Sequence, residues 1–297
     1  MTPSLQLRLV SLIISWTVRK RLGDMRDLEK LKRVFEGRTL PPPRGVSFRA
    51  DSMGGVAGEW AQAGGDKPML YLHGGGFVGC SPQTHRPLTG AFALRGFRVF
   101  APDYRLAPEH PFPAAVDDTV AAWRDFAARV GQPGAVAGDS AGGNLAAVLT
   151  LLVKAEARRP AGAVLFSPAT DMTGGGESWV TNRHRDAMFT DQVANLAEFY
   201  LNGADPRDPR ASPLLGDLKG LPPMLLHVGE SELLRDDSVR LAEAAQRAGS
   251  PVAVKVWQGA PHVWQFMHGF VPEARRSLDE AAAFLHKALE SAAARSP

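Results

Sequence analysis

Val136-Ala137-Gly138-Asp139-Ser140-Ala141-Gly142-Gly143-Asn144 sets a Gly-x-Ser-x-Gly pattern between an apolar run and a helix-forming stretch, Leu145 to Val153. A serine on such a strand-to-helix turn is held in strained backbone geometry, with its hydroxyl thrust out of the fold. Glycines on both sides let the strand and the helix pass close to the turn. The start of the helix also presents free N–H groups where an oxyanion would develop. Taken alone, the pattern fits an ordinary loop as well, because Gly, Ser and Ala are common there. Its surroundings decide.

Upstream, Pro68 to Leu72 is a short apolar strand that runs into His73-Gly74-Gly75-Gly76-Phe77. Phe97 to Ala101 is another, and leads to Pro102-Asp103-Tyr104-Arg105-Leu106-Ala107-Pro108-Glu109-His110. Val46 to Arg49 and Val56 to Ala61 read as the first strands, parted by the Gly54-Gly55 turn. Ala114 to Arg129 reads as a helix with apolar positions at Val116, Val120, Trp123 and Phe126, and Gly134 to Ala137 as the strand before the serine. Downstream come the strand Gly162 to Ser167, then Pro223 to Val228, a helix from Val239 to Gln246, the strand Val252 to Val256 and a last helix from Ser277 to Ala293. Short buried strands alternating with helices predict a mostly parallel sheet covered on both faces. Residues 171–218 break this rhythm with glycines, prolines and scattered aromatics.

In sheets of this kind ligands collect at the C-terminal ends of the strands. His73, Asp103, Ser140, Ser167, Glu230, Glu232, Trp257 and His262 all fall at or just after predicted strand ends. A serine nucleophile needs a base, and the base needs an orienting acid. Of the 8 histidines, His227 lies inside a core strand and His286 on the surface of the terminal helix. His73, His85, His110 and His184 precede the acid or lie in the irregular insert. His262 follows the final strand and the turn Gln258-Gly259-Ala260-Pro261, and is favoured over His268, which is expected inside the next helix. For the acid, Glu230, Glu232, Asp236 and Asp237 all follow the preceding strand, and position does not choose among them. The Gly74-Gly75-Gly76 run brings bare backbone N–H groups toward a substrate oxygen, which with the Ala141 N–H make a three-donor oxyanion hole.

Composition sets the outer bounds. The 297 residues are 44% hydrophobic and 22% charged, which suits a globular α/β domain with a full-sized core. The single Cys80 excludes an intrachain disulfide framework and suits a reducing, cytoplasmic compartment. No Cys/His cluster has zinc-like spacing, so neither metal nor cofactor is expected, and nothing suggests a nucleic-acid module. Residues 1–45 hold ten Lys/Arg against four Asp/Glu, read here as a solvated helix face. Two helices are expected over residues 4–37, broken near Gly23 and ended by Gly37. Leu9 to Val18 has the wrong flanking charge order for a signal peptide and is too short to span a bilayer, so it is read as an amphipathic helix packed on the protein.

Together His73-Gly74-Gly75-Gly76-Phe77, Asp103-Tyr104-Arg105-Leu106-Ala107-Pro108-Glu109 and Gly138-Asp139-Ser140-Ala141-Gly142 resemble the bacterial hormone-sensitive-lipase-like carboxylesterases, in their GDSAG subgroup. The resemblance runs from about residue 40 to the end and implies an α/β-hydrolase fold, with an eight-stranded, mostly parallel sheet and a helical cap. It divides the chain into cap residues 1–45, core residues 46–170, a cap insert at 171–218 and core residues 219–297. It implies Ser140 as nucleophile, His262 as base, and Gly75, Gly76 and Ala141 as the oxyanion hole. The family's Asp-Pro-Leu-x-Asp motif aligns with Glu232-Leu233-Leu234-Arg235-Asp236, so the acid falls on Glu232, a glutamate for the usual aspartate. The Tyr-Arg-Leu-Ala-Pro-Glu segment is expected to brace the oxyanion loop. The family implies short- to medium-chain ester substrates and allows a homodimer. Phe77, Trp179, Met188, Phe189, Phe199 and Leu214 are candidate acyl-pocket residues. The alternatives are an interfacial lipase, an amidase or peptidase on the same fold, and a non-catalytic ligand receptor.

Overall fold

The apolar runs become eight strands of one sheet in the computed structural model, which describes residues 2–22, 27–35, 37 and 40–295. The strands are β1 (Ser47–Met53), β2 (Val56–Gln62), β3 (Lys67–Leu72), β4 (Phe97–Pro102), β5 (Ala135–Asp139), β6 (Ala163–Phe166), β7 (Met224–Gly229) and β8 (Val252–Trp257). Their spatial order is β1-β2-β4-β3-β5-β6-β7-β8. β1 and β2 form a hairpin across Gly54-Gly55, whose φ values of 59° and 82° suit the turn that matches strand twist. β2 is also antiparallel to β4, and every pairing from β4 onward is parallel.

Nine helices among the described residues cover the sheet and its end: α1 (Leu5–Arg21), α2 (Leu28–Phe35), α3 (Arg86–Ala93), α4 (Ala114–Val130), α5 (Ser140–Leu152), α6 (Ser178–Thr181), α7 (Ala194–Leu201), α8 (Arg235–Arg247) and α9 (Pro272–Ala293). Alternation along β3 shows how the two faces are filled. Met69 and Tyr71 pack in one cluster with Leu88 and Phe92 of α3 and Leu278 and Leu285 of α9. Leu70 and Leu72 point the other way, into a cluster with Trp123 and Phe126 of α4, Leu145 of α5 and Leu241 of α8. β3 is thus buried on both faces, as a central strand of a parallel sheet requires, and each such side chain contributes about 1.5–3 kcal/mol by burial.

The segment after β6 carries α6, α7 and two 3₁₀ turns. Phe189, Val193 and Leu196 of this segment share an apolar cluster with Leu22 at the end of α1 and Leu31 of α2. The inner side of α1 (Leu7, Val10 and Ile14) packs on Trp257, Ala260 and Trp264. Ser4 caps that helix by accepting from the Leu7 N–H at 3.1 Å, while its own hydroxyl donates to Glu273 at 2.7 Å.

Several expectations are corrected. α3 carries no clear sequence signal, because Pro87, Thr89 and Gly90 interrupt its apolar pattern; Gly90 is needed where the helix passes Pro43 at close range. α8 starts at Arg235, four residues earlier than its apolar periodicity, because Asp236 and Asp237 occupy its polar first turn. His268 is not helical: it follows a 3₁₀ turn, and α9 begins only at Pro272, where the fixed proline φ suits a first turn. His286 is half-buried rather than on the surface, bonded to the Arg95 carbonyl at 2.8 Å and stacked on Phe97. The break expected near Gly23 lies outside the described residues.

Candidate active site

β5 ends at Asp139 and α5 begins at Ser140 itself, leaving no connecting loop. Ser140 has φ 52°, left-handed backbone that costs a non-glycine residue about 1–3 kcal/mol. The neighbours enforce it. A Cβ on Gly138 would overlap the Gly142 carbonyl, and one on Gly142 would overlap the carbonyls of Leu72 and His73. β3 therefore passes against the turn with room for glycine only. Behind the turn, Asp139 is buried and accepts from Tyr71 Oη at 2.8 Å, with His85 Nε2 and the Gly74 N–H each at 3.3 Å. Burial pushes the Asp139 carboxyl upward, but His85 and these hydrogen bonds outweigh it and hold it below its ordinary value. This carboxylate ties the serine turn to the glycine loop after β3.

His262 stands beyond β8, and its Nδ1 lies 2.7 Å from Glu232 Oε2, both side chains buried. The other carboxylate oxygen of Glu232 accepts from Ser167 Oγ at 2.8 Å and from the Gly229 N–H. Asn182 fixes the loop itself, donating to the carbonyls of Glu230 and Glu232 at 3.0 and 2.9 Å. With Nδ1–H committed to the carboxylate, Nε2 is left as the proton acceptor. That atom has no hydrogen-bond partner among the described residues, and His262 lines the same cavity as Ser140. Burial pulls the imidazole pKa down, but the charge and hydrogen bond of Glu232 more than offset it, holding His262 above its ordinary 6.5.

The other candidate carboxylates are engaged elsewhere or make no contact with the imidazole. Asp236 accepts from the Ser178 N–H at 2.8 Å and from Arg235. Asp237 is buried, accepts from the N–H groups of Thr170 and Asp171, and is pushed up to about 7 by burial. Glu230 is half-buried and makes no side-chain hydrogen bond to His262. Only Glu232 meets the imidazole.

Strand-end placement marks Ser167 without giving it a role, and nothing in the sequence marks Asp186, because the contacts of both arise only on folding. Ser167 and Val263 each have φ 46°, so two further left-handed residues flank the acid and the base. Asp186 is buried and accepts from the N–H groups of Met188, Phe189 and Leu233 at 2.7, 2.9 and 2.8 Å. It thereby pins the insert to the acid loop, and Phe189 packs edge-on against His262 at 4.6 Å. Burial and the nearby Glu232 charge raise its pKa. Asp186→Ala leaves three N–H groups without an acceptor and is expected to lower stability by about 3–5 kcal/mol. Asp186→Asn keeps an acceptor oxygen and should lose less. Urea unfolding midpoints of the two variants measure the difference.

The loop His73-Gly74-Gly75-Gly76 follows β3, with φ 116° at Gly75 and 62° at Gly76. A Cβ at Gly74 would collide with the Asp139 carboxylate and one at Gly75 with the Gly79 carbonyl. The N–H groups of Gly75 and Gly76 donate to no protein acceptor among the described residues. Ala141 opens the first turn of α5, where N–H groups lack helical partners. Tyr104 Oη donates to the His73 carbonyl at 2.6 Å and its ring stacks on the imidazole; the Ala107 N–H reaches the Phe77 carbonyl at 2.8 Å. Arg105 forks onto Asp118, anchoring the same segment to α4. Burial lowers the His73 pKa to about 3, so this imidazole is a neutral packing residue.

Ser140, His262, Gly75, Gly76 and Ala141 share the wall of one cavity of about 770 Å³. Of the candidate acyl-pocket residues, Phe77, Trp179, Met188 and Phe189 line it. Phe199 and Leu214 do not. Phe199 packs on the cluster between the insert and the N-terminal helices, and Leu214 is drawn into the core beside α5. Both lie in a segment whose aromatic and apolar residues serve its own packing. Val18, Leu22, Val34 and Phe35, from α1 and α2, complete the apolar wall.

Residues 69–266 match a family described by its alpha/beta hydrolase fold. The chain is 40% identical over 296 residues to an acetyl-hydrolase of Streptomyces hygroscopicus, with 97% of each chain covered. It is 36% identical over 265 residues to an esterase of Acinetobacter venetianus, with 86% of each covered. Among solved structures, an esterase from the bacterial hormone-sensitive lipase family superposes with a TM-score of 0.87 at 36% identity, covering 97% of this chain and 100% of that one.

Proposed function

The chain belongs to the α/β-hydrolase family, among the hormone-sensitive-lipase-like carboxylesterases, and we propose that it cleaves short- to medium-chain acyl esters with a Ser140–His262–Glu232 triad. Ester hydrolysis itself is the activity of this group of enzymes. The observation that carries the finer reading is the His262–Glu232 contact of 2.7 Å, which leaves an unpartnered Nε2 on the cavity that Ser140 also lines.

Ser140 Oγ attacks the ester carbonyl carbon while His262 Nε2 takes its proton. The tetrahedral oxyanion accepts hydrogen bonds from the N–H groups of Gly75, Gly76 and Ala141. Each such donor lowers the barrier by about 2.7–4 kcal/mol. His262 then protonates the leaving alcohol, and the acyl group remains on Ser140. Water, deprotonated by the same imidazole, attacks the acyl-enzyme and releases the carboxylic acid. Glu232 keeps Nδ1 protonated and stabilises the imidazolium. α1, α2 and residues 171–218 act as a cap that supplies the apolar wall for the acyl chain.

A cavity of about 770 Å³ suits an acyl chain of modest length, and the acetyl-hydrolase relative supports the short end. Initial rates over p-nitrophenyl esters from acetyl to palmitoyl test this. A kcat/KM maximum between acetyl and octanoyl is expected; a maximum at palmitoyl, or comparable cleavage of the matching anilides, would overturn the substrate assignment.

The pH dependence follows from His262, which must be neutral to act as base. Its pKa is held above the ordinary 6.5, so activity is present above this raised pKa and lost as pH falls through it. The acid limb of kcat/KM is therefore expected above an ordinary imidazole pKa, measured with butyrate ester in a constant-ionic-strength buffer series.

A further inference from the structure

α1 is apolar on two sides, and only one of them is covered. Its inner residues meet Trp257 and Trp264, as described above. Its outer side carries Leu5, Leu9, Leu12, Ile13 and Trp16, between 52% and 80% exposed. Their positions 5, 9, 12, 13 and 16 follow the i, i+4, i+7, i+8, i+11 spacing of one helix face and so form one stripe along the helix. A soluble protein rarely leaves such a stripe to water; an apolar patch rimmed by charge marks a docking surface.

The charges say what docks. α1 holds Arg8, Arg19, Lys20 and Arg21 and no acidic residue. Arg8 and Lys20 are exposed beside the stripe. Arg21 at the end of α1, with Lys30 and Arg33 of α2, lines the active-site cavity, and the three form no ion pair among the described residues. Apolar stripe, flanking cations and an outward tryptophan are the makings of a helix that lies in the interface of an anionic bilayer. A second copy of the chain fits less well, because the same face would bring the same cations together. No helix among the described residues is long and apolar enough to cross a membrane, so the contact is peripheral.

We propose that α1 docks this enzyme on anionic lipid surfaces, its outer stripe at the headgroup boundary. Val18, Arg21 and Leu22, at the C-terminal end of α1, line the cavity, so docking brings the cavity to the lipid. The substrates reached this way are amphiphilic esters dissolved in the membrane. This inference goes beyond the triad assignment and does not depend on it.

Flotation of the full chain with vesicles tests it. The protein is expected to float with phosphatidylcholine vesicles containing phosphatidylglycerol, to do so far less with phosphatidylcholine alone, and to be released by salt. The double substitution Leu12→Gln/Trp16→Ser should lower partitioning at least about tenfold while leaving solution hydrolysis of p-nitrophenyl butyrate unchanged, since neither residue touches the cavity. Failure to float on anionic vesicles, or equal flotation of the double variant, overturns the proposal. A dimer in light scattering that the same substitutions dissolve, without vesicle binding, also overturns it in favour of a second copy. Flotation without hydrolysis of the soluble ester would instead count against the triad alone.

Discussion

Ser140→Ala is expected to lower kcat/KM for p-nitrophenyl butyrate by on the order of 10⁵-fold or more, with KM little changed. The loss is large because no other nucleophile replaces the hydroxyl at the end of β5, and His262 Nε2 is left with no group to deprotonate. A residual rate above buffer should survive, carried by the N–H groups of Gly75, Gly76 and Ala141, which the substitution does not touch. Folding should be unaffected, because Ser140 Oγ makes no hydrogen bond among the described residues. Ser140→Gly separates strain from chemistry. Glycine adopts φ 52° without steric cost, so this variant should be equally inactive yet more stable by about 1 kcal/mol. Single-turnover assays and thermal unfolding measure the two effects independently. Wild-type-like turnover by the alanine variant would remove Ser140 from the mechanism.

What could be read in the sequence was what the chemistry places close along the chain. Gly138-Asp139-Ser140-Ala141-Gly142 and Gly74-Gly75-Gly76 are local devices: each glycine is explained by a carbonyl or carboxylate that leaves no room for a Cβ. The parallel sheet was legible for a similar reason, since strands buried on both faces are continuous apolar runs. Contacts between distant segments were not legible. Four carboxylates follow β7 within eight residues, and their spacing does not tell which one turns toward a histidine thirty positions on. Asp186 is a single acidic residue in an irregular stretch until folding brings the N–H groups of Met188, Phe189 and Leu233 around it. The candidates Phe199 and Leu214 failed to reach the cavity because an apolar side chain in an insert serves its own packing as readily as a pocket. The outer stripe of α1 was hidden by the same ambiguity: an apolar helix read from sequence shows how many sides are greasy, not how many are covered.

Glu232→Gln should cost about 10³–10⁴-fold in kcat, and the reason lies in the proton it controls. Glu232 Oε2 accepts from His262 Nδ1 at 2.7 Å, which fixes the tautomer with Nε2 free. Glutamine has one acceptor oxygen, and the Ser167 hydroxyl and Gly229 N–H already claim an oxygen of this side chain. Its NH₂ group is then turned toward Nδ1, which selects the tautomer protonated at Nε2 and blocks proton transfer from Ser140. Removing the carboxylate also deletes the main influence that raises the imidazole pKa, leaving burial to lower it. The remaining activity should therefore show an acid limb displaced to lower pH than in the parent enzyme. Glu232→Asp provides the contrast. It keeps the charge and the tautomer but is one methylene short, so it must release either His262 or the Ser167–Gly229 pair. A loss of about 10–100-fold with the acid limb still above an ordinary imidazole pKa is expected. If the glutamine variant kept the parent's rate and pH profile, the role of Glu232 would be confined to bracing its loop. An aspartate variant as impaired as the glutamine one would mean that reach, rather than charge, is what His262 requires.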